Sequence, residues 1–140
     1  MLGSTHLLFS LLLGSFWFNF SAPESLLAKI AFAAFLLIGT FLPDIDIKLP
    51  VKHRGIFHTI WPIVLILVLN AIFSDYLPFS IAALALGYGI HVATDAMTPY
   101  GIAPLWPFHK QRIKGPVRTG SLLELGIASA IIVVILIGGI

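Results

Sequence analysis

Five apolar runs, each close to the thickness of a lipid bilayer, dominate this chain. They cover residues 3–20, 25–42, 56–74, 79–98 and 121–140. About 20 apolar residues wound into a helix cross the hydrocarbon core of a membrane. Within lipid a single run must satisfy its backbone hydrogen bonds internally, and the helix does that. The breaks between runs suit helix ends: Ser21-Ala-Pro23-Glu24, Leu42-Pro43, Ser74-Asp75-Tyr76-Leu77-Pro78 and Thr98-Pro99-Tyr100-Gly101. The chain is 59% hydrophobic, above the roughly 45–50% of soluble proteins. The expected fold class is therefore all-α: a polytopic membrane helical bundle of about five transmembrane helices. Residues 1–140 form one domain. The first run lacks the basic start of a signal peptide and outlasts its usual 7–15 apolar residues, so it is expected to be retained.

Charge sets the orientation. With five spans, the N-terminus and the 43–55 and 99–120 loops share one side. That side carries Lys48, Lys52, Arg54, Lys110, Arg112, Lys114 and Arg118, seven of the eight Lys and Arg residues, and only Lys29 falls towards the other. The positive-inside rule makes the first side cytoplasmic. The N-terminus is then in the cytoplasm, and the chain is a multi-pass protein of the cytoplasmic (inner) membrane.

The same count places the scarce ionisable residues. His6 opens span one. Asp44 and Asp46 follow span two. His53 and Arg54 precede span three, and His58 lies in its first turn. His91 and Asp95 close span four, and Glu124 opens span five. All five helices bring a polar group to one membrane face. Ionisable groups are expensive near hydrocarbon and are functional candidates there.

Their spacing suggests cation binding. After Pro43 an extended backbone is expected, which would turn Asp44 and Asp46 the same way, although Asp is also common in turns. His91 and Asp95 are four apart and share a helix face, a chelating arrangement or a helix-stitching hydrogen bond. His53 and His58 converge only if the loop folds back over the helix start. Arg54 suits phosphate or carboxylate, or serves as a topogenic charge. His6 packs helices or joins the cluster. Glu124, three residues after Ser121, reads as a capping box with the option of ligation. His109 is expected to be solvated or near headgroups, and Trp61, Trp106 and Tyr100 to be interfacial or packing aromatics.

Several classes drop out. There is no cysteine, so a metal would rest on His, Asp and Glu. No Gly-x-Ser-x-Gly nucleophile motif, no glycine-rich phosphate loop and no basic patch interleaved with aromatics is present, so nucleic acid is not an expected partner. The carboxylate and imidazole set suffices for one or two divalent ions, or for one ion and its outer partners. Zinc is the first expectation, with manganese or iron as alternatives.

Read in order, these motifs resemble a family. His6, Leu42–Asp46, His53–His58, Gly87–Asp95 with Thr98–Gly101 and Trp106–Pro107, and Arg118–Glu124 resemble the YdjM-type inner-membrane proteins, usually described as LexA-regulated, membrane-bound, metal-dependent hydrolases. The order of ligands is also loosely similar to the zinc-dependent phospholipase C and P1-nuclease group, helical enzymes acting on phosphoesters. The resemblance implies a membrane hydrolase acting on a phosphoester of a lipid or lipid-linked substrate at the cytoplasmic face. In that reading Asp44, Asp46, His58, His91 and Asp95 ligate, with His6 and Glu124 as further candidates. His53 ligates or protonates the leaving group, and Arg54 holds the substrate anion. Membrane lipids are the expected partners, attracted by the basic 109–118 loop. The rival expectation is a membrane metal-binding protein without hydrolysis, or an ion- or proton-coupled transporter.

Overall fold

The computed structural model describes residues 1–21, 25–48, 54–73 and 80–138. Among them are five α-helices and no strand: α1 (Gly3–Ser21), α2 (Leu26–Phe41), α3 (Trp61–Phe73), α4 (Ser80–Ala96) and α5 (Leu122–Gly138). An isolated antiparallel bridge joins Ile102 and Ile113. The all-helical expectation holds, and four of the five apolar runs become helices with nearly the expected starts. Ser25 caps α2 by accepting the Ala28 N–H at 3.2 Å. One segment, Leu26–Ile47, is by itself long and apolar enough to cross a membrane; Gly3–Phe18, Trp61–Phe73 and Leu122–Gly138 are shorter apolar helices.

Helix α4 is the centre of the bundle and packs against α1, α2 and α3. Eleven of its residues are buried, from Ser80 to Asp95, whereas α3 buries Ile66 alone and α5 buries only Glu124 and Ile131. The closest crossing is between α2 and α4. A Cβ built on Gly39 would lie 2.2 Å from the Leu84 carbonyl oxygen, and one on Gly87 would lie 2.2 Å from that of Leu36. Only glycine permits such backbone contact, as is common where helices associate in lipid. The contact brings the C-terminal turn of α2 against that of α4, where the ionisable residues gather. Helix α5 packs on α1.

Two local expectations change. The third run does not start its α-helix at residue 56. Ile56–His58 forms a separate 3₁₀ turn and α3 begins at Trp61, so His58 precedes α3 instead of lying in its first turn. Thr59 Oγ1 donates to the Ile56 carbonyl at 2.7 Å and closes that turn. Leu42–Lys48 is not extended after Pro43; it is a 3₁₀ helix. Proline is tolerated in a first helical turn, because the N–H it lacks has no intrahelical partner there. Helix α2 thus tightens and continues across Leu42-Pro43 instead of stopping.

The 97–120 segment folds back under α4. Gly115 N–H donates to the Thr98 carbonyl and Val117 N–H to that of Met97, both at 3.0 Å. Ile60 N–H bonds the Pro104 carbonyl at 3.0 Å, and Trp61 Nε1 bonds the Trp106 carbonyl at 2.8 Å, tying this segment to the start of α3. Trp61 also meets Phe108 edge-on, so these aromatics pack together, while His109 is exposed.

Candidate metal centre

Four elements deliver histidines and aspartates to one end of the bundle. Helix α1 supplies His6, the Leu42–Lys48 turn supplies Asp44 and Asp46, the Ile56–His58 turn supplies His58, and α4 supplies His91 and Asp95. His6, Asp46, His58, His91 and Asp95 are no more than 2% exposed. Asp44 is the open member, with 32% of its side chain exposed.

His91 shows what the arrangement needs. Its Nδ1 lies 2.7 Å from the Thr40 carbonyl oxygen, a group that only accepts. Nδ1 therefore carries the proton, and neutral imidazole leaves a bare lone pair on Nε2. That Nε2 is buried without a hydrogen-bond partner. It faces two further acceptors, Asp44 Oδ1 at 3.4 Å and Asp95 Oδ2 at 3.9 Å. An imidazolium would close on a carboxylate to about 2.7–2.9 Å. Acceptors that converge at this range could hold a cation between them.

The separations have the scale of a coordination shell. Around the two carboxylate oxygens, His58 Nε2 stands 3.6 Å from Asp44 Oδ1 and 3.3 Å from Asp95 Oδ2. Together with the His91 distances, these are four of the six edges of a tetrahedron formed by two imidazoles and two carboxylates. Zinc–ligand bonds of about 2.0–2.2 Å imply donor separations of about 3.3–3.6 Å. Both His58 separations and the His91–Asp44 separation match that range, the His91–Asp95 separation of 3.9 Å exceeds it, and the residues form two overlapping triads that share His91 and could hold a divalent ion. Asp44, His58 and His91 lie within ligand reach of one another, as do His6, His91 and Asp95.

Asp46 approaches the opposite edge of the His58 ring, its Oδ2 3.4 Å from Nδ1. This is where an outer carboxylate orients a metal-binding imidazole. His6 stacks on His91 at 4.0 Å between ring centres. Thr94 Oγ1 donates to the Ile90 and His91 carbonyls, both at 2.9 Å, and so accepts from His6 Nδ1 at 2.6 Å. His6 Nε2 faces Asp95 Oδ1 at 3.5 Å.

Two organic cations already neutralise that oxygen. Arg54 NH2 and the amino group of Met1 each lie 2.9 Å from Asp95 Oδ1. Arg54 is further held by its backbone N–H on Asp46 Oδ2 at 2.9 Å and by NH1 on Thr98 Oγ1 at 3.0 Å. It adopts φ 58°, a left-handed conformation uncommon outside glycine, which strong local contacts must hold in place. The guanidinium stacks over Tyr100, 5.0 Å from the ring centre.

Glu124 stands apart from this group. Leu2 N–H reaches its Oε1 at 2.7 Å and Gly120 N–H its Oε2 at 2.6 Å. Its own N–H donates to Ser121 Oγ at 3.3 Å. This is a capping box shifted by one residue, with the carboxylate taken up by backbone donors. His53 lies outside the described residues. Sequence reasoning gave no role to Thr40, Thr94 or Thr98, the groups that orient His91, His6 and Arg54. The available signal was spacing: Thr94 and Thr98 each follow a site residue by three positions on one helix face.

Comparison with known proteins identifies the family. A family model described as YdjM inner membrane protein matches residues 1–138. The chain belongs to that family. No curated protein and no solved structure matches it.

Proposed function

We propose that this inner membrane protein is a metal-dependent hydrolase, a five-span bundle whose substrate is a phosphoester of a lipid or lipid-linked molecule at the cytoplasmic face. The observation that carries the reading is the buried Nε2 of His91, bare and facing two carboxylates. Supporting it are the converging His58 and Asp95, and an outer surface that is apolar almost throughout the helices, including Leu65, Ile72, Leu136 and Ile137.

Asp44, His58, His91 and Asp95 would hold the ion, and zinc suits their number and kind. Such an ion supplies Lewis acidity and a water acidic enough to act as nucleophile near neutral pH. The surrounding residues have separate tasks. Asp46 and the Thr40 carbonyl fix the orientation of the two imidazoles. Arg54 keeps charge balanced at Asp95 Oδ1 and, swung from it, offers a fork for a phosphoryl group. The buried walls exclude bulk water, and Asp44 marks the side from which substrate approaches. His53 remains the candidate proton donor from the sequence.

Metal analysis of the purified protein, combined with phosphate release from phospholipids in vesicles, tests the proposal. The wild type should hold close to one transition metal per chain, and His91→Ala and Asp95→Ala should each lose it. Unchanged metal content in both variants would remove the site. Metal without turnover on any phosphoester would leave the non-hydrolytic reading.

A further inference from the structure

The four proposed donors are not equally sealed. His58, His91 and Asp95 are buried, and Asp44 is about one-third open. Asp44 opens onto a depression of about 510 Å³ lined otherwise by Ile38, Phe41, Leu42, Ile45 and Ile47. The Leu42–Lys48 turn builds this mouth by its register. Asp44 and Asp46 face the site, whereas Ile45 and Ile47 point outward, 43% and 63% exposed. The end of α2 adds Ile38 and Phe41, about half exposed. Among the described residues, Asp44 is the polar side chain that lines this depression. A second crevice, about 530 Å³ between α1, α3 and α4 and lined by Trp17, Ile63, Leu67 and Gly89, borders none of the donors.

We infer that the metal centre is loaded sideways from the bilayer: one hydrocarbon chain of an amphiphilic phosphoester lies against Phe41, Leu42, Ile45 and Ile47 while its anionic head reaches Asp44. The inference rests on the hydrolase reading and names the substrate's route within it. An apolar mouth costs little in lipid and much in water. It also leaves the substrate's tail in hydrocarbon throughout, so only the head needs to desolvate.

Photo-crosslinking tests it. Zinc-treated full-length protein is placed in phosphatidylcholine vesicles that contain a small fraction of phosphatidic acid with a diazirine midway along one acyl chain. Crosslinked peptides should concentrate on residues 38–47, and unlabelled phosphatidic acid should compete. Ile45→Ser with Ile47→Ser should weaken that competition about tenfold, as expected when aliphatic contacts are exchanged for hydroxyls. Crosslinks spread evenly over Leu65, Ile72 and Leu136 as well would overturn the inference. Metal content measured on the same sample separates the two ideas. Bound zinc with even crosslinks removes the mouth and leaves the hydrolase. Crosslinks gathered at 38–47 on a protein that holds no zinc keep the mouth and remove the metal chemistry.

Discussion

A histidine has two ring nitrogens, and the bond made by one decides the state of the other. His91 spends Nδ1 on the Thr40 carbonyl, and His6 spends Nδ1 on Thr94, so both rings turn Nε2 towards aspartates. The same logic separates Asp46 from Glu124, two buried acids of similar appearance in sequence. Asp46 faces an imidazole edge, and Glu124 faces backbone N–H groups. Asp46→Asn should weaken zinc affinity about 10- to 100-fold, the usual effect of removing an outer carboxylate, with helix content unchanged. Glu124→Gln should do the reverse, keeping the metal and losing roughly 1 kcal/mol of stability from a weakened cap. Zinc titration and thermal melting on each variant check the pair. A metal loss in Glu124→Gln matching that in Asp46→Asn would contradict the division of roles. Which acid does which could not be read from spacing. Ser121-x-x-Glu124 carried a capping signal of its own, but Asp44-x-Asp46 reads equally as a solvated turn, a bidentate clamp, or a ligand with its supporter.

The helices position these atoms through a few close contacts. Gly39 and Gly87 let α2 and α4 touch backbone to backbone, and the Thr40–His91 bond lies one turn from that contact. Gly87→Val should push the helices apart, cost about 1–3 kcal/mol as overpacking does, and lower zinc affinity through loss of the His91 orientation. Gly89→Ala and Gly126→Ala are the controls: a Cβ at either meets nothing within 4 Å, and alanine is the better helix former by about 0.5–1 kcal/mol. Melting in detergent and a zinc titration should show a lower midpoint and weaker binding for Gly87→Val alone. The apolar runs and their breaks made the helices legible, because hydrophobic length and Pro or Ser punctuation are local properties. The two 3₁₀ turns were not legible. Pro43 stops a helix when it falls in the interior and starts one when it falls in the first turn, and packing decides between the two. The continuous apolar run predicts His58 in the first turn of α3, yet the Thr59–Ile56 closure sets it in a separate turn.

At the scale of the molecule, polarity is inverted relative to a water-soluble protein. His6, His58, His91, Asp46, Asp95 and Glu124 are inside, while Leu26, Leu27, Ile72, Leu122, Leu136 and Ile137 are more than half exposed. Such a surface is stable when hydrocarbon covers it, consistent with an inner membrane family. The site lies at the N-terminal end of α1 and the C-terminal ends of α2 and α4, with the start of α5 beside it, so α1 and α5 run one way and α2 and α4 the other. The segment holding Lys110, Arg112, Lys114 and Arg118 folds under that same end. If all five helices cross the bilayer, the positive-inside rule puts this end in the cytoplasm, and the metal would be drawn from the cytoplasmic pool. Single cysteines test that arrangement without interference, since the chain has none of its own. In inside-out vesicles, Lys110→Cys and Lys48→Cys should react with a membrane-impermeant maleimide, and Asp75→Cys should react only after the membrane is opened. In right-side-out vesicles the pattern should reverse. Lys48→Cys and Lys110→Cys labelled from opposite sides would break the five-span bundle, because an odd number of crossings would then lie between them where the bundle has two. It would also divide the Leu42–Lys48 turn from the segment beneath α4, and with it the shared end on which Asp44 and Arg54 meet Asp95.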